Sequence, residues 1–164
     1  MKKIMLSACF ALFSIGTFAQ SQDLPNTQIR DINGKQMAFN DAFEKGKVTL
    51  VSFWATWCIP CKQEIKNIKD KLGDWQKETS FNYMTISIDD ARSTAMVKTY
   101  AKSQGWNFPA YTDPNADLKR SLNFQNIPYA IIVDQNGKIV YQHSGYEEGG
   151  EYELFDRIKA LNKK

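Results

Sequence analysis

The sequence predicts an α/β domain with a mixed central β-sheet and helices on both of its faces. Residues 47–54 and 81–88 form two apolar stretches, and a segment with apolar residues at helical spacing follows each of them. Such an alternation of strands and helices is typical of α/β domains. Hairpin patterns lie before and after these units, at residues 28–39 and 129–143, and hairpins add antiparallel strands to a sheet. With 164 residues, 43% of them hydrophobic, the chain suits a single domain.

Residues 1–19 predict a secretory signal peptide. Two lysines form a charged start, a largely apolar run extends from Ile4 to Phe18, and small residues precede Gln20. We therefore expect export to a bacterial periplasm and a mature domain of residues 20–164. One alternative is an uncleaved membrane anchor, although the run falls short of the roughly 18 apolar residues that a span needs. The other is a lipidated Cys9, which would leave too short an apolar segment before it.

The mature domain is nearly neutral and contains two cysteines. Its net charge is +1, because residues 1–19 remove two lysines from a total charge of +3. No basic stripe remains, so we expect no nucleic-acid partner. The remaining cysteines, Cys58 and Cys61, are three positions apart, and so short a loop constrains the unfolded chain little. The pair is therefore not explained as a disulfide that stabilises the fold.

The N-terminal part predicts a small β-hairpin and then the central strand of the sheet. Residues 28–32 and 35–39 flank Asn33-Gly34, the preferred dipeptide of a tight hairpin turn. A short turn through Phe43 leads to the strand at residues 47–54. This strand is apolar on both faces, as a sheet covered on both sides requires.

A long amphipathic helix is predicted at residues 59–78, because apolar residues recur there on one face. These residues are Ile65, Ile68, Leu72 and Trp75. We expect a strand at 81–88 after it, then a helix capped by Ser93 or Thr94 and stopped by Gly105. A short strand at 108–111 and a helix starting near Asp113-Pro114 should follow. The chain should end with a hairpin of strands 129–133 and 138–143 and with an amphipathic helix that carries Leu154, Phe155, Ile158 and Leu161.

The two cysteines lie where the central strand turns into the long helix. Three helical steps advance about 4.5 Å, so the Cα–Cα distance of Cys58 and Cys61 can fall within the range of about 4.4 to 6.8 Å that a disulfide needs. Free N–H groups at the start of the helix would stabilise a Cys58 thiolate. A structural zinc site needs four ligands, and a c-type haem site needs a histidine where Lys62 stands. We therefore expect redox chemistry without a metal or a cofactor.

Residues 53–61, which read FWATWCIPC, and Ile127-Pro128 downstream resemble the thioredoxin superfamily. With its N-terminal hairpin and its extra segment between residues 89 and 124, the chain is similar to the exported ResA/TlpA-type thiol-disulfide oxidoreductases. The resemblance covers roughly residues 24–161, which is most of the mature chain. It implies a thioredoxin-like fold with a central insertion.

The resemblance also implies roles for particular residues. Cys58 would be the nucleophile, and Pro128 would be in the cis form beside the cysteine pair. Attack by the Cys58 thiolate on a partner disulfide gives a mixed disulfide, which Cys61 then resolves. The backbone of Ile127 could pair with an extended substrate segment. The predicted substrate-binding residues are Trp57, Ile59, Pro60, Ile127 and Pro128.

Glu64 is a candidate proton acceptor for Cys61. It lies one turn after Cys61 on the same side of the helix, and a partly buried carboxylate there could take the thiol proton directly or through water. It also matches an acidic residue near the active site of ResA-like proteins. Thioredoxin itself has a buried acid at the strand position of Ser52, so that relay is not expected here. The alternative is an ordinary solvated glutamate on the helix surface.

The leading functional hypothesis is an exported enzyme that reduces disulfides in periplasmic proteins. A membrane electron donor would keep it reduced, and its pathway would be cytochrome c maturation or repair after oxidative stress. Three alternatives are a disulfide-forming oxidase, a peroxiredoxin-like antioxidant and a non-catalytic binding module with a thioredoxin fold. We expect protein thiols or disulfides as partners and a monomeric protein.

Overall fold

The computed structural model describes residues 21–163. The predicted signal peptide and Cys9 lie outside these residues. Within residues 21–163 the chain forms one eight-stranded β-sheet and four α-helices. The strands are β1 (Gln22–Asp23), β2 (Gln28–Asp31), β3 (Gln36–Ala38), β4 (Val48–Trp54), β5 (Phe81–Ser87), β6 (Ala110–Thr112), β7 (Tyr129–Val133) and β8 (Lys138–Ser144). The helices are α1 (Ile59–Glu78), α2 (Thr94–Ser103), α3 (Asp117–Ser121) and α4 (Gly150–Asn162), and a 3-10 turn spans Phe39–Ala42.

The sheet is mixed, as predicted, and β4 lies in its centre. The strand order is β1-β8-β7-β4-β5-β6-β2-β3. β4 is parallel to β5 and antiparallel to β7, while β5 is parallel to β6. Every residue of β4 is buried, which confirms that the sheet is covered on both sides.

Helices cover both faces of the sheet. Alternate residues of β4 point to opposite faces, so this strand contacts helices on both sides. Leu50 packs in a core with Ile68 of α1 and Phe155 of α4. Phe53 faces the other way, into a core that includes Leu118 of α3. The predicted α/β architecture with helices on both faces is therefore confirmed. Among residues 21–163, no helix combines the length and the apolarity needed to cross a membrane.

The N-terminal hairpin is present, but its turn is wider than the predicted two-residue turn. The paired strands end at Asp31 and resume at Gln36. The Asp31 carboxylate accepts hydrogen bonds from the backbone N–H of Asn33 at 2.8 Å and of Lys35 at 2.9 Å. These bonds stabilise a four-residue connection, in which Gly34 has a φ of 91°.

Helix α2 begins where predicted, with Ser93 at its N-cap position, whereas α3 begins later than predicted. Ser93 makes no side-chain cap to α2; instead, Asp90 accepts from the N–H groups of Arg92 and Ser93. Asp113 accepts from the N–H of Asp117 at 2.9 Å, so α3 begins four residues after Asp113. The predicted strand at 108–111 is shifted to Ala110–Thr112.

Candidate active site

The cysteine pair lies where the carboxyl end of the central strand meets the start of α1. Cys58 occupies the N-cap position, with extended backbone angles, and its backbone N–H donates to the carbonyl of Ala55 at 3.0 Å. Its Sγ accepts a hydrogen bond from the backbone N–H of Cys61 at 3.3 Å. Pro60 lies in the first turn, where a missing N–H leaves no hydrogen bond unmade. The local sequence therefore places a sulfur atom at the N-terminus of a twenty-residue helix.

The two cysteines form a disulfide with a Cα–Cα distance of 5.4 Å. This distance lies within the expected range. Cys58 is 5% exposed and Cys61 is 1% exposed, so Cys61 is the more buried of the two. Trp57 and Ile59, on either side of Cys58, are strongly exposed. A partner can therefore approach the pair from the side of Cys58.

Pro128 follows a cis peptide bond, as the resemblance implied. Pro128 is buried, whereas Ile127 is half-buried and packs against the apolar cluster that contains Cys58 and Cys61. Pro60 is exposed on the first turn of α1. The structure thus places the Ile127 segment beside the cysteines, and the substrate-binding roles of these residues stay predictions.

Glu64 is buried, not solvated. It is 2% exposed, and within the described part of the chain its Oε2 atom is buried without a hydrogen-bond partner. Burial, and secondarily the charge of Glu151, raise the pKa of Glu64 from its ordinary value of 4.5 to about 8. An acid with such a pKa is mostly protonated at neutral pH and can exchange a proton with a thiol, whose ordinary pKa is about 8.5.

Sequence reasoning missed a polar cluster that lies around Glu151, a buried residue in the first turn of α4. Glu151 accepts hydrogen bonds from the Tyr146 hydroxyl at 2.9 Å and from the Gly149 N–H at 3.1 Å, and its other oxygen lies 3.3 Å from Lys71 Nζ. Burial opposes the charge on Glu151, but hydrogen bonds from its own backbone N–H and from Tyr146, together with Lys71, hold its pKa below the usual value. Glu151 therefore stays ionised and contributes to the raised pKa of Glu64.

The strand position that carries an acid in thioredoxin is polar but uncharged here. Ser52 is fully buried and accepts a hydrogen bond from the Tyr83 hydroxyl at 3.3 Å. Burial strongly raises the pKa of Tyr83, so this hydroxyl stays protonated. Because Ser52 carries no charge, the buried acid closest in sequence to Cys61 is Glu64, which lies on the same helix, α1.

An apolar groove adjoins the exposed side of the cysteine pair. Its volume is about 600 Å³, and it lies between Trp57 and one face of α2. Met96 and Tyr100 line it together with small and hydroxyl side chains, and both Trp57 and Met96 are more than half exposed. Trp54, by contrast, is fully buried against Tyr100 and Trp106, so it belongs to the core and not to this rim.

The sequence pattern also did not reveal the role of Asp89, which follows β5. It is 1% exposed, and its carboxylate accepts two hydrogen bonds from Thr56, in the loop that leads to Cys58. The signal that could have found it is the parallel pairing of β4 with β5, since parallel neighbours end at the same edge of a sheet.

The fold and the disulfide together define a dithiol–disulfide protein of the thioredoxin type. The chain belongs to the AhpC/TSA family, whose family model matches residues 20–142.

Among curated proteins, the chain is similar to two from Bacillus subtilis (strain 168). It is 27% identical to the thiol-disulfide oxidoreductase ResA over 124 residues, which cover 76% of this chain and 66% of ResA. This chain therefore spans slightly less than two thirds of the length of ResA. It is 30% identical to the thioredoxin-like protein YneN over 129 residues, which cover 77% of this chain and 72% of YneN.

Solved structures show the same fold. A thioredoxin-like protein from Porphyromonas gingivalis is 42% identical, with a TM-score of 0.77 over 90% of this chain and 94% of that chain. A protein described as the thiol:disulfide interchange protein DsbE, from Chlorobium tepidum, is 23% identical with a TM-score of 0.72, over 86% of this chain and 96% of that chain. The second likeness concerns the fold alone. With the Cys58–Cys61 pair, the comparisons support a thioredoxin-like protein that carries a CxxC disulfide.

Proposed function

We propose that the chain is an exported thiol-disulfide oxidoreductase that reduces disulfides in periplasmic proteins. The observation that carries the proposal is a disulfide with a more accessible sulfur at the start of α1 and a buried sulfur one turn from a buried acid. Cys58 and Cys61 form the disulfide, and Glu64 is the acid. Trp57 and Ile59 expose apolar surface around it, as a surface that binds proteins requires.

The reaction starts from the reduced pair. The Cys58 thiolate attacks one sulfur of the partner disulfide, and the other partner sulfur leaves as a thiolate. Cys61 then loses its proton and attacks Cys58 Sγ, which releases the second partner sulfur as a thiolate. Two electrons pass to the partner, and the Cys58–Cys61 disulfide forms. An external dithiol must reduce this disulfide before the next cycle.

Glu64 handles the proton of Cys61 in both halves of the cycle. During resolution, the ionised form of Glu64 accepts the proton from the Cys61 thiol. When the disulfide is reduced again, the protonated form returns a proton to the Cys61 sulfur. A pKa of about 8 suits both steps, because it lies close to the ordinary pKa of a thiol, about 8.5.

The substrate is proposed to be an extended, apolar segment of a protein that carries a disulfide. The apolar groove beside Trp57 offers room for side chains of that segment. Trp57, Ile59 and Pro60 would contact the segment from one side, and the backbone of Ile127, before Pro128, would pair with it as an added strand.

Export, the electron donor and the pathway rest on the sequence and on the resemblance. The leader pattern of residues 1–19 supports a periplasmic location. We propose that a membrane electron donor keeps the pair reduced, that the protein works as a monomer, and that it serves cytochrome c maturation or repair after oxidative stress.

The reduction potential of the Cys58–Cys61 couple tests the direction of the reaction. For a reductase we expect a value near that of thioredoxin, about −270 mV, measured by equilibration with glutathione or dithiothreitol buffers. A value as high as that of DsbA, about −120 mV, would instead make the protein an oxidase and would overturn the reductase proposal. The matched control is the Cys58→Ser protein, which has no couple to titrate.

A further inference from the structure

Thr56 is held at each of its polar groups by side chains from other segments. Its backbone N–H donates to Asp89 Oδ2 at 2.8 Å, and its hydroxyl donates to Asp89 Oδ1 at 2.7 Å. Its carbonyl accepts a hydrogen bond from Lys62 Nζ at 3.0 Å. A residue in the four-residue connection between β4 and α1 is therefore fixed by a carboxylate on one side and by an ammonium group on the other.

The position of Asp89 follows from the register of the two central strands. β4 and β5 are parallel, and Trp54 pairs with Ser87 at their carboxyl ends. The chain continues beside β4 for one more step, because the N–H of Ile88 donates to the carbonyl of Trp54 at 2.9 Å. Two residues beyond the last pair, Thr56 and Asp89 therefore lie opposite each other.

The Asp89 carboxylate is itself fixed in place. It is 1% exposed, and Ser87 Oγ donates to its Oδ2 at 2.6 Å while accepting from the backbone N–H of Asp89 at 2.9 Å. Three hydrogen bonds reach the carboxylate, two of them from Thr56. A buried carboxylate with this many donors is rigidly oriented, because each lost donor would leave a buried charge less well satisfied.

Lys62 completes the arrangement from the helix. It lies in the first turn of α1, and its backbone N–H donates to the carbonyl of Cys58 at 3.2 Å. Its ammonium group reaches back to the Thr56 carbonyl and lies 5.6 Å from the centre of the Tyr100 ring. The loop before Cys58 is thus tied both to β5 and to α1.

We propose that Asp89 is a positioning residue, which acts through Thr56 to hold Cys58 at the N-cap of α1 when the disulfide is open. The proposal rests on the redox function proposed for the pair. In the oxidised protein the covalent bond to Cys61 fixes the Cys58 sulfur, so the loop contacts are not needed for this. In the reduced protein that bond is absent, and the contacts of Thr56 hold the sulfur near the free N–H groups that stabilise its thiolate.

Positioning and charge have opposite effects on the Cys58 thiol. The charged or titratable groups on the segments that pack around it are Asp89 after β5, Lys62 and the buried Glu64 on α1, and Tyr100 on α2, whose pKa is raised by burial. The negative charge of Asp89 alone would disfavour a nearby thiolate, whereas correct placement at the N-cap favours it. Thr56→Val separates the two effects, because it removes a hydrogen bond to Asp89 and keeps both the charge and the branched shape.

The test is the pH dependence of Cys58 alkylation by iodoacetamide in a Cys61→Ser background, read on the Cys58 peptide by mass spectrometry. Thr56→Val is expected to shift the midpoint to higher pH and to lower the rate at pH 7 about threefold, because fewer Cys58 side chains are ionised. Asp89→Asn is expected to shift the midpoint in the same direction. Thr56→Ser keeps the hydroxyl and Asp90→Asn removes a neighbouring exposed carboxylate, so both should behave as the parent protein does.

Two results would overturn the proposal. One is a midpoint in Thr56→Val equal to that of Thr56→Ser, and the other is a lower midpoint in Asp89→Asn, which would mean that Asp89 acts only through its charge. Thermal melting shows whether either variant is unfolded, and Thr56→Val gives the answer if Asp89→Asn does not fold. Alkylation needs no turnover, so these results test the positioning role independently of the proposed redox function. The proposed redox function would be refuted only if the wild-type protein did not reduce disulfides.

Discussion

A Cys61→Ser variant is expected to capture its substrate and to keep it. Cys58 can still attack a partner disulfide, but no second thiol is present to resolve the mixed disulfide. We expect a covalent adduct on Cys58 after incubation with a disulfide-bonded protein such as insulin, detected by non-reducing electrophoresis and mass spectrometry. Turnover should fall by more than about 1000-fold, because a serine hydroxyl cannot replace the resolving thiolate.

The matched variant is Cys58→Ser, which leaves only the buried thiol. Cys61 is 1% exposed, compared with 5% for Cys58, and it lies on the inner side of the first turn of α1. We expect no adduct from this variant. An adduct of similar yield on Cys61 in Cys58→Ser would contradict the assignment of Cys58 as the nucleophile.

Glu64→Gln is expected to stabilise the oxidised protein at neutral pH. The folded-state pKa of Glu64 is raised from 4.5 to about 8, so the folded protein holds this proton more tightly than the unfolded chain. The stability that comes from Glu64 is therefore fully present below pH 4.5 and is lost as the pH rises to about 8. A neutral glutamine avoids this loss, and the expected gain in the free energy of unfolding is about 3 kcal/mol at pH 7.

Urea denaturation of the oxidised protein between pH 4 and pH 9 measures this effect. The wild-type protein should lose stability relative to Glu64→Gln as the pH rises, and the two curves should converge near pH 4. Glu78→Gln is the control, since Glu78 is an exposed glutamate at the end of the same helix. Parallel curves for wild type and Glu64→Gln would mean that Glu64 has an ordinary pKa.

The same substitution is expected to slow resolution of the mixed disulfide. A glutamine cannot accept the Cys61 proton, and general-base catalysis contributes at least about 100-fold in comparable reactions. Stopped-flow kinetics of partner release should show this decrease in Glu64→Gln and not in Glu78→Gln. Equal release rates in all three proteins would refute the role of Glu64 as proton acceptor.

Residues close together in the sequence made the main helix and the site predictable. The stripe of Ile65, Ile68 and Leu72 predicted α1 with the bounds that it has, Ile59–Glu78. The strand before it and the position of the cysteines at the helix start were equally clear, because both depend on local periodicity.

Features that depend on distant segments were not predictable. β1 has only two residues, and its pairing is defined by β8, where Gln22 lies opposite Ile139. Helix α3 starts late because the carboxylate of Asp113 binds the N–H of Asp117. Such contacts depend on how distant segments are placed in three dimensions, and local propensity does not determine that placement.

The same distinction applies within the candidate site. The spacing placed Glu64 on the side of Cys61 but did not determine its burial, since Glu151 and Tyr146 come from the far end of the chain. Thr56 and Asp89 meet only because β4 and β5 are parallel and in register. The chemistry of the site was thus readable from CIPC, while its electrostatics required the assembled fold.

The central claim is that Cys58 and Cys61 form a working redox couple and not an inert disulfide. The most direct measurement is the reduction of insulin by dithiothreitol, followed by turbidity, with wild-type protein and with Cys58→Ser. We predict that the wild-type protein accelerates insulin precipitation strongly and that Cys58→Ser leaves the rate of dithiothreitol alone. A wild-type rate equal to that of dithiothreitol alone would contradict the claim and would favour a non-catalytic binding module.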